Sequence, residues 1–249
     1  SHYLVSMGAE AIRRGKNVVH YTFELTETAV GIRYDSNLCN MPSNNVIENK
    51  KIVLKTYEEN DFGTLIIKQY PTGAASIITL RNHLEKLEMK DIKPHLLVID
   101  YADIMRSTRT YDSLRHELKL VYEEIRNLAM ELNIPVWTAS QANRDSAKSE
   151  IVGLENMSEA YGKAMVADVV VSLSRKPMEK ATGAGRLFVA KNRAGRDGLM
   201  FPIRIDCAMS KIEVLDDVSE MSIVDAIERD NAGTKNMLKS KWKEITGNK

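Results

Sequence analysis

The stretch His95-Leu-Leu-Val-Ile-Asp-Tyr-Ala-Asp-Ile-Met105 constrains this chain most. Four apolar residues, Leu96 to Ile99, run without interruption into Asp100. An unbroken apolar run of that length suits a parallel strand covered on both faces, because both alternating side-chain sets are then buried. Such a strand delivers its last residue to the carboxyl edge of the sheet, where open α/β sheets bind ligands. A lone carboxylate at that place is a natural anchor for a cation or for a ligand carried by one.

The surrounding pattern extends this reading. Tyr3 to Gly15 reads as a helix ending at a glycine, with Tyr3, Leu4, Met7, Ala11 and Ile12 at helical spacing. Val18 to Leu25 is β-branched and aromatic and reads as a strand. Thr26 caps the next helix. One helical stretch is expected from Pro42-Ser43 to about Asn60, a strand over Leu65–Tyr70 and an amphipathic helix over Ser76–Met89. A long helix over Ser113–Leu132 carries Leu118, Val121, Ile125, Leu128 and Leu132 on one stripe. Pro135–Ser140 and Ala167–Leu173 read as further strands, with a loop over Gln141–Asn156 and a short helix from Ser158 between them. Arg186–Lys191, Leu199–Asp206 and Lys211–Leu215 look like hairpin strands.

Strands alternating with helices imply right-handed crossovers and a mainly parallel sheet with helices on both faces. The closing hairpin strands are expected as an antiparallel edge of that sheet. The fold class is therefore α/β, with a motor-sized domain over 1–216 and a polar helical tail over 217–249. The 249 residues suffice for one such domain. Lys and Arg number 35 against 34 Asp and Glu, so no global field attracts a polyanion and any nucleic-acid contact must be local. The two cysteines, Cys39 and Cys207, lack metal-ligand spacing and fit a reducing cytoplasm. No apolar run approaches membrane-spanning length, so no membrane partner is expected.

Polar residues stand where four apolar runs stop: Glu24, Asp100, Gln141 and the Lys191-Asn-Arg193 cluster. Singly, each is an ordinary solvated strand end. Together they are expected to line one edge of one sheet. Lys191 and Arg193, one residue apart, fall on the same side of an extended strand.

Phe23-Glu-Leu25, Val98-Ile-Asp-Tyr101, Ser140-Gln-Ala-Asn-Arg144 and Ala190-Lys-Asn-Arg-Ala-Gly195 occur here in the order found in DnaB-type replicative helicases. The chain resembles the RecA-like motor domain of that family, bacteriophage members included, over about residues 1–215. The resemblance implies an ATPase that works at the subunit interfaces of a hexameric ring, translocates on single-stranded DNA and unwinds duplex. It implies ATP and Mg²⁺ as cofactors. Asp100 then holds Mg²⁺ through water, Glu24 orients and polarises the attacking water, and Gln141 senses the γ-phosphate. Lys191 and Arg193 reach the nucleotide of the neighbouring subunit, Arg193 as an arginine finger. Arg106, Arg109, Arg144 and Lys148 stand in loops that resemble those facing the DNA. A bacterial or phage-infected cytoplasm follows from the same likeness.

The family also uses a G-x-x-x-x-G-K-[ST] loop, whose amides and lysine cradle phosphates. The chain contains no such run. Glu24 sits at the family's usual distance from the end of that loop if Ser1 is its last residue, which makes Ser1 the Mg²⁺-ligating hydroxyl. The rival reading takes Ser1-His2 as a remnant of an expression tag. On the first reading the chain alone binds ATP weakly, and the missing strand leaves an exposed sheet edge. The family's helical amino-terminal domain, which docks primase, is not in the chain, so primase or helicase-loader contacts are expected through regions outside it. Two alternatives stay open at this point: a RecA-like recombinase, and a catalytically inactive RecA-fold binding module.

Overall fold

The computed structural model describes residues 1–141, 153, 161–176 and 179–215. Among these, α1 (His2–Arg13) leads to β1 (Val18–Thr22), α2 (Glu27–Leu38), α3 (Ser43–Val46), α4 (Lys50–Glu59), β2 (Leu65–Gln69) and α5 (Ile77–Glu88). Then come β3 (Leu96–Asp100), a single 3₁₀ turn (Ala102–Ile104), α6 (Leu114–Leu132) and β4 (Val136–Thr138). The chain continues through α7 (Tyr161–Val166), β5 (Val169–Ser174), α8 (Glu179–Thr182), β6 (Ala184–Asn192), β7 (Met200–Asp206) and β8 (Lys211–Val214).

The first four strands form a wholly parallel sheet in the order β2-β1-β3-β4. β1 pairs with β2 from Val18↔Leu65 to Thr22↔Gln69 and with β3 from Val18↔Leu96 to Thr22↔Asp100. Every residue of β1 and β3 is buried, as the apolar run at Leu96–Ile99 required. The period-2 alternation sends their side chains to two cores. Val19, Tyr21, Leu97 and Ile99 meet Leu80 and Leu84 of α5 and Val121, Ile125 and Leu128 of α6. Val18, Leu96 and Val98 meet Leu4, Val5, Ala9 and Ile12 of α1 and Val30 and Tyr34 of α2. Each large apolar side chain buried this way contributes about 1.5–3 kcal/mol relative to leaving it in water.

Several boundaries move for local reasons. The stripe of α1 that is buried is Leu4, Val5, Gly8, Ala9 and Ile12, so Tyr3, Met7 and Ala11 lie on its flank. β1 stops at Thr22, not Leu25, because the Thr22 hydroxyl accepts from Leu25 N at 3.1 Å and donates to Leu25 O at 2.9 Å. That turn delivers the chain to Thr26, whose side chain caps α2 by accepting from Ala29 N at 3.2 Å. The stretch from Ser43 to Asn60 is two helices, interrupted at 47–49. Leu132 is 37% exposed and drops out of the α6 stripe, since the helix turns away at Asn133 with φ 52°.

The expected single sheet is not what forms among the described residues. β5, read as a member of the parallel sheet, pairs antiparallel with β6, and the order β5-β6-β7-β8 makes a second four-stranded sheet. β4 thus ends the parallel sheet as a three-residue, half-buried strand. The chain divides into two compact units: one of residues 1–141, 159–167 and 205–213, the other of 142–158, 168–204 and 214–249. In the second unit, Arg186 on β6 holds Glu179 of α8 through two hydrogen bonds of 2.6 and 2.8 Å. The loop expected over 142–156, the helix start at Ser158 and the tail over 217–249 lie outside the described residues.

Candidate active site

Parallel pairing in register brings the ends of β1 and β3 level. Thr22 lies beside Asp100, and the next amide, Phe23 N, donates to Asp100 O at 2.9 Å. Glu24 follows in the turn closed by Thr22 and is exposed at the sheet's carboxyl edge. The Asp100 carboxylate is the opposite case. It is 2% exposed, and its Oδ2 has no hydrogen-bond partner among the described residues.

β4 is bolted to the end of β3. Thr138 Oγ1 donates to Ile99 O at 2.9 Å and accepts from Ala102 N at 3.0 Å. Three residues on, the exposed Gln141 turns back, its Nε2 donating to Tyr101 Oη at 3.4 Å. The Tyr101 phenol is pushed up by loss of solvent and then by the carboxylates of Glu24, Asp103 and Asp100. One tyrosine therefore feels the charge at both strand ends and touches the residue that follows the third. Glu24, Asp100 and Gln141 come together at one sheet edge, as expected.

Behind Asp100 lies a group that the sequence did not reveal. His20, in the middle of β1, is wholly buried. Its pKa is lowered to about 4, first by burial, with the Ser1 amino group and Arg33 acting in the same direction and Asp100 opposing them. Its Nδ1 lies 2.9 Å from the Tyr34 hydroxyl. His2 is held down by burial, by Arg33 and by the Ser1 amino group, and raised by Asp100. The amino end of α1 and the end of β3 therefore share one electrostatic neighbourhood. Ser1 is exposed and caps α1 without a side-chain hydrogen bond. Arg33 Nη1 is buried and has no hydrogen-bond partner among the described residues. Nothing in the sequence marks Arg33, since α2 presents it like any surface cation. His20 hides in a run that reads as purely structural.

The residues present fit a nucleotide-bound Mg²⁺. That ion prefers oxygen ligands, keeps several waters and is bound through one or two carboxylates plus substrate phosphates. A buried carboxylate with an unused oxygen near an exposed serine hydroxyl supplies such a half-site. No cluster of three or more His, Cys, Asp or Glu that suits an all-protein metal cage occurs among the described residues.

The cation pair is placed otherwise than expected. Lys191 is on β6, opposite Val170 of β5, where the ladder shifts register between Val170 and Val171. Arg193 follows the strand, its guanidinium donating to Asp168 Oδ1 at 3.0 Å and its amide to Asp168 O at 2.8 Å. Both residues belong to the second unit, whose sheet is antiparallel, not to the edge that carries Glu24 and Asp100. Arg106 and Arg109 are exposed in the loop after the 3₁₀ turn. The amide of Arg106 donates to Ala75 O at 2.9 Å, which fixes the root of that loop on the segment before α5. Arg144 and Lys148 lie outside the described residues.

Comparison with known proteins agrees with the geometry. The family model for the DnaB-like helicase C terminal domain matches residues 3–208. A DnaB-like replicative helicase of Enterobacteria phage T4 is 30% identical over 181 residues, 68% of this chain and 38% of the relative. The replicative DNA helicase DnaB of Leifsonia xyli is 24% identical over 199 residues, 75% of this chain and 43% of the relative. The chain thus spans less than half the length of these relatives. Among solved structures, a DnaB-like replicative helicase studied with its interactions with primase superposes with a TM-score of 0.74 at 13% identity, over 87% of this chain and 54% of that one. A second solved structure, of an isolated ATPase domain, gives 0.73 at 13% identity, over 86% and 80%. At that identity these two carry the α/β fold, while the family match carries the kinship: the chain belongs to the DnaB-like helicase C-terminal domain family.

Proposed function

We propose that this chain is the ATP-hydrolysing motor of a ring-shaped replicative DNA helicase, acting at subunit interfaces to move on single-stranded DNA and part the duplex. The observation that carries this reading is the unpartnered Oδ2 of buried Asp100, set level with Glu24 and Gln141 at one sheet edge. Asp100, through water, and the Ser1 hydroxyl would hold Mg²⁺, which supplies charge neutralisation on the phosphates. Glu24, exposed at the neighbouring strand end, orients and polarises the attacking water. Gln141, an uncharged amide, hydrogen-bonds the γ-phosphate without adding fixed charge.

Lys191 and Arg193 serve the nucleotide of the adjacent subunit. For Arg193 this means leaving Asp168. The two side chains are 51% and 58% exposed, and an ion pair of that kind is worth only about 0.2–1 kcal/mol, so exchanging it for a phosphoryl group costs little. Arg106, Arg109, Arg144 and Lys148 contact DNA phosphates in the ring's channel. The ring is a hexamer of the bacterial or phage-infected cytoplasm. Primase and the helicase loader engage parts of the full-length protein outside this chain.

The test is single-strand-stimulated ATPase of the full-length protein. Arg193→Ala should abolish turnover while leaving the melting temperature in place, and mixing it into wild-type rings should poison or partly rescue activity, as a residue acting in trans requires. Unchanged turnover in Arg193→Ala would remove the arginine from the mechanism.

A further inference from the structure

A buried polar cluster lies beside the candidate site, on groups to which the motor reading gives no role. Lys163 of α7 is 4% exposed and its Nζ donates to Asp103 Oδ2 at 2.7 Å. Ser140 Oγ donates to the same oxygen at 3.0 Å, and Tyr122 Oη donates to Oδ1 at 2.7 Å. Lys163 Nζ also reaches Ser140 Oγ at 3.4 Å and sits 5.7 Å from the Tyr122 ring centroid. The Tyr122 phenol is held well above its ordinary range by burial and then by Asp103, so it stays a donor.

The cluster joins two strand ends. Asp103 is three residues past Asp100, in the 3₁₀ turn after β3. Ser140 immediately precedes Gln141, which closes the circuit on Tyr101. A buried ion pair is a poor device for stability, because desolvation of both charges offsets their attraction. With three donors on one carboxylate it is a good device for fixing a geometry.

We infer that Lys163 is a positioning residue for the proposed sensor: by holding Asp103 and Ser140 it locks Gln141 in register with the strand that ends at Asp100. Its effect on turnover rests on the motor reading above, but the lock itself is present in the unliganded chain. A displacement of about 1 Å in such a group can lower turnover about a hundredfold while leaving binding intact.

Two measurements test this. Amide hydrogen exchange on this chain should be at least about tenfold faster over 99–105 and 136–141 in Lys163→Met and Ser140→Ala, and close to wild type in Lys163→Arg. Ser140→Ala keeps the ion pair and so guards against a Lys163→Met variant that does not fold. In the full-length protein both variants should lose about a hundredfold in kcat with KM for ATP within about threefold, and Lys163→Arg should recover most of the loss. Wild-type exchange in Ser140→Ala, or a loss confined to KM, would overturn the inference. A wild-type protein that turns over no ATP, with exchange altered as expected, would instead sink the motor reading and leave the lock standing.

Discussion

Gly8→Ala is the sharpest test of how the helices behind Asp100 are fitted together. Gly8 is buried on α1, against Tyr34 of α2. A methyl group there would lie 2.1 Å from the Tyr34 hydroxyl oxygen, 2.9 Å from Cζ and 3.0 Å from Cε1. Tyr34 has no exposed surface, and its hydroxyl is bound to His20 Nδ1 at 2.9 Å with the rings edge to face. The ring cannot yield without leaving His20, whose Nε2 already has no partner among the described residues. Forcing an extra methyl into a filled core costs about 1–3 kcal/mol. Stranding the buried imidazole and phenol adds about 1–3 kcal/mol. Alanine's better helix propensity returns about 1 kcal/mol. The balance is near 3 kcal/mol of destabilisation, or roughly 6–12 °C in Tm for a chain of this size. Calorimetry or helical circular dichroism reads it directly. Adding Tyr34→Phe, which removes the nearest atom, should recover part of the loss from the clash. A Gly8→Ala protein that melts at or above wild type would refute the packing argument.

Stability should also depend on pH through His20. Its folded pKa of about 4 is below the ordinary 6.5, so the unfolded chain binds a proton that the folded chain refuses. The contribution is complete above pH 6.5 and is lost as pH falls from there towards 4, by up to about 3 kcal/mol. Urea midpoints at about pH 7 and about pH 4.5, either side of the ordinary histidine range, should differ more for wild type than for His20→Gln, and equal differences would refute it. Thr26→Ala should cost about 1 kcal/mol in urea unfolding, since Thr26 satisfies the Ala29 amide at the start of α2. An unchanged midpoint would mean that water replaces the cap.

The candidate site was legible where one strand ends in one residue. Leu96–Asp100 is buried throughout and ends as the apolar run says, because a parallel strand covered on both faces leaves its composition no other choice. Glu24 and Gln141 were found by the same logic, although Glu24 stands in a turn that the Thr22 hydroxyl makes. His20, Arg33, Asp103 and Lys163 were not legible. His20 and Lys163 are buried polar residues whose partners lie on other elements, and no local periodicity records a partner 14 or 60 residues away. Even the face of α1 was misjudged. Tyr3 and Met7 share the helical spacing with Leu4 and Val5, and only contact with β3 and α2 decides which pair is buried.

Strand pairing marks the deeper division. The amino-acid order by itself determined the alternation of strands and helices, the apolar run into Asp100, the cap at Thr26 and the family motifs, since each is a local matter of period, burial or capping. Which strand lies beside which is a non-local choice. β5 reads as apolar whether its neighbour runs parallel or antiparallel, so only the tertiary structure put it against β6, in a sheet apart from Glu24 and Asp100. The same holds for the Lys163–Asp103 pair. A charge can be buried only where another element supplies its opposite, and that meeting exists only once the chain has folded.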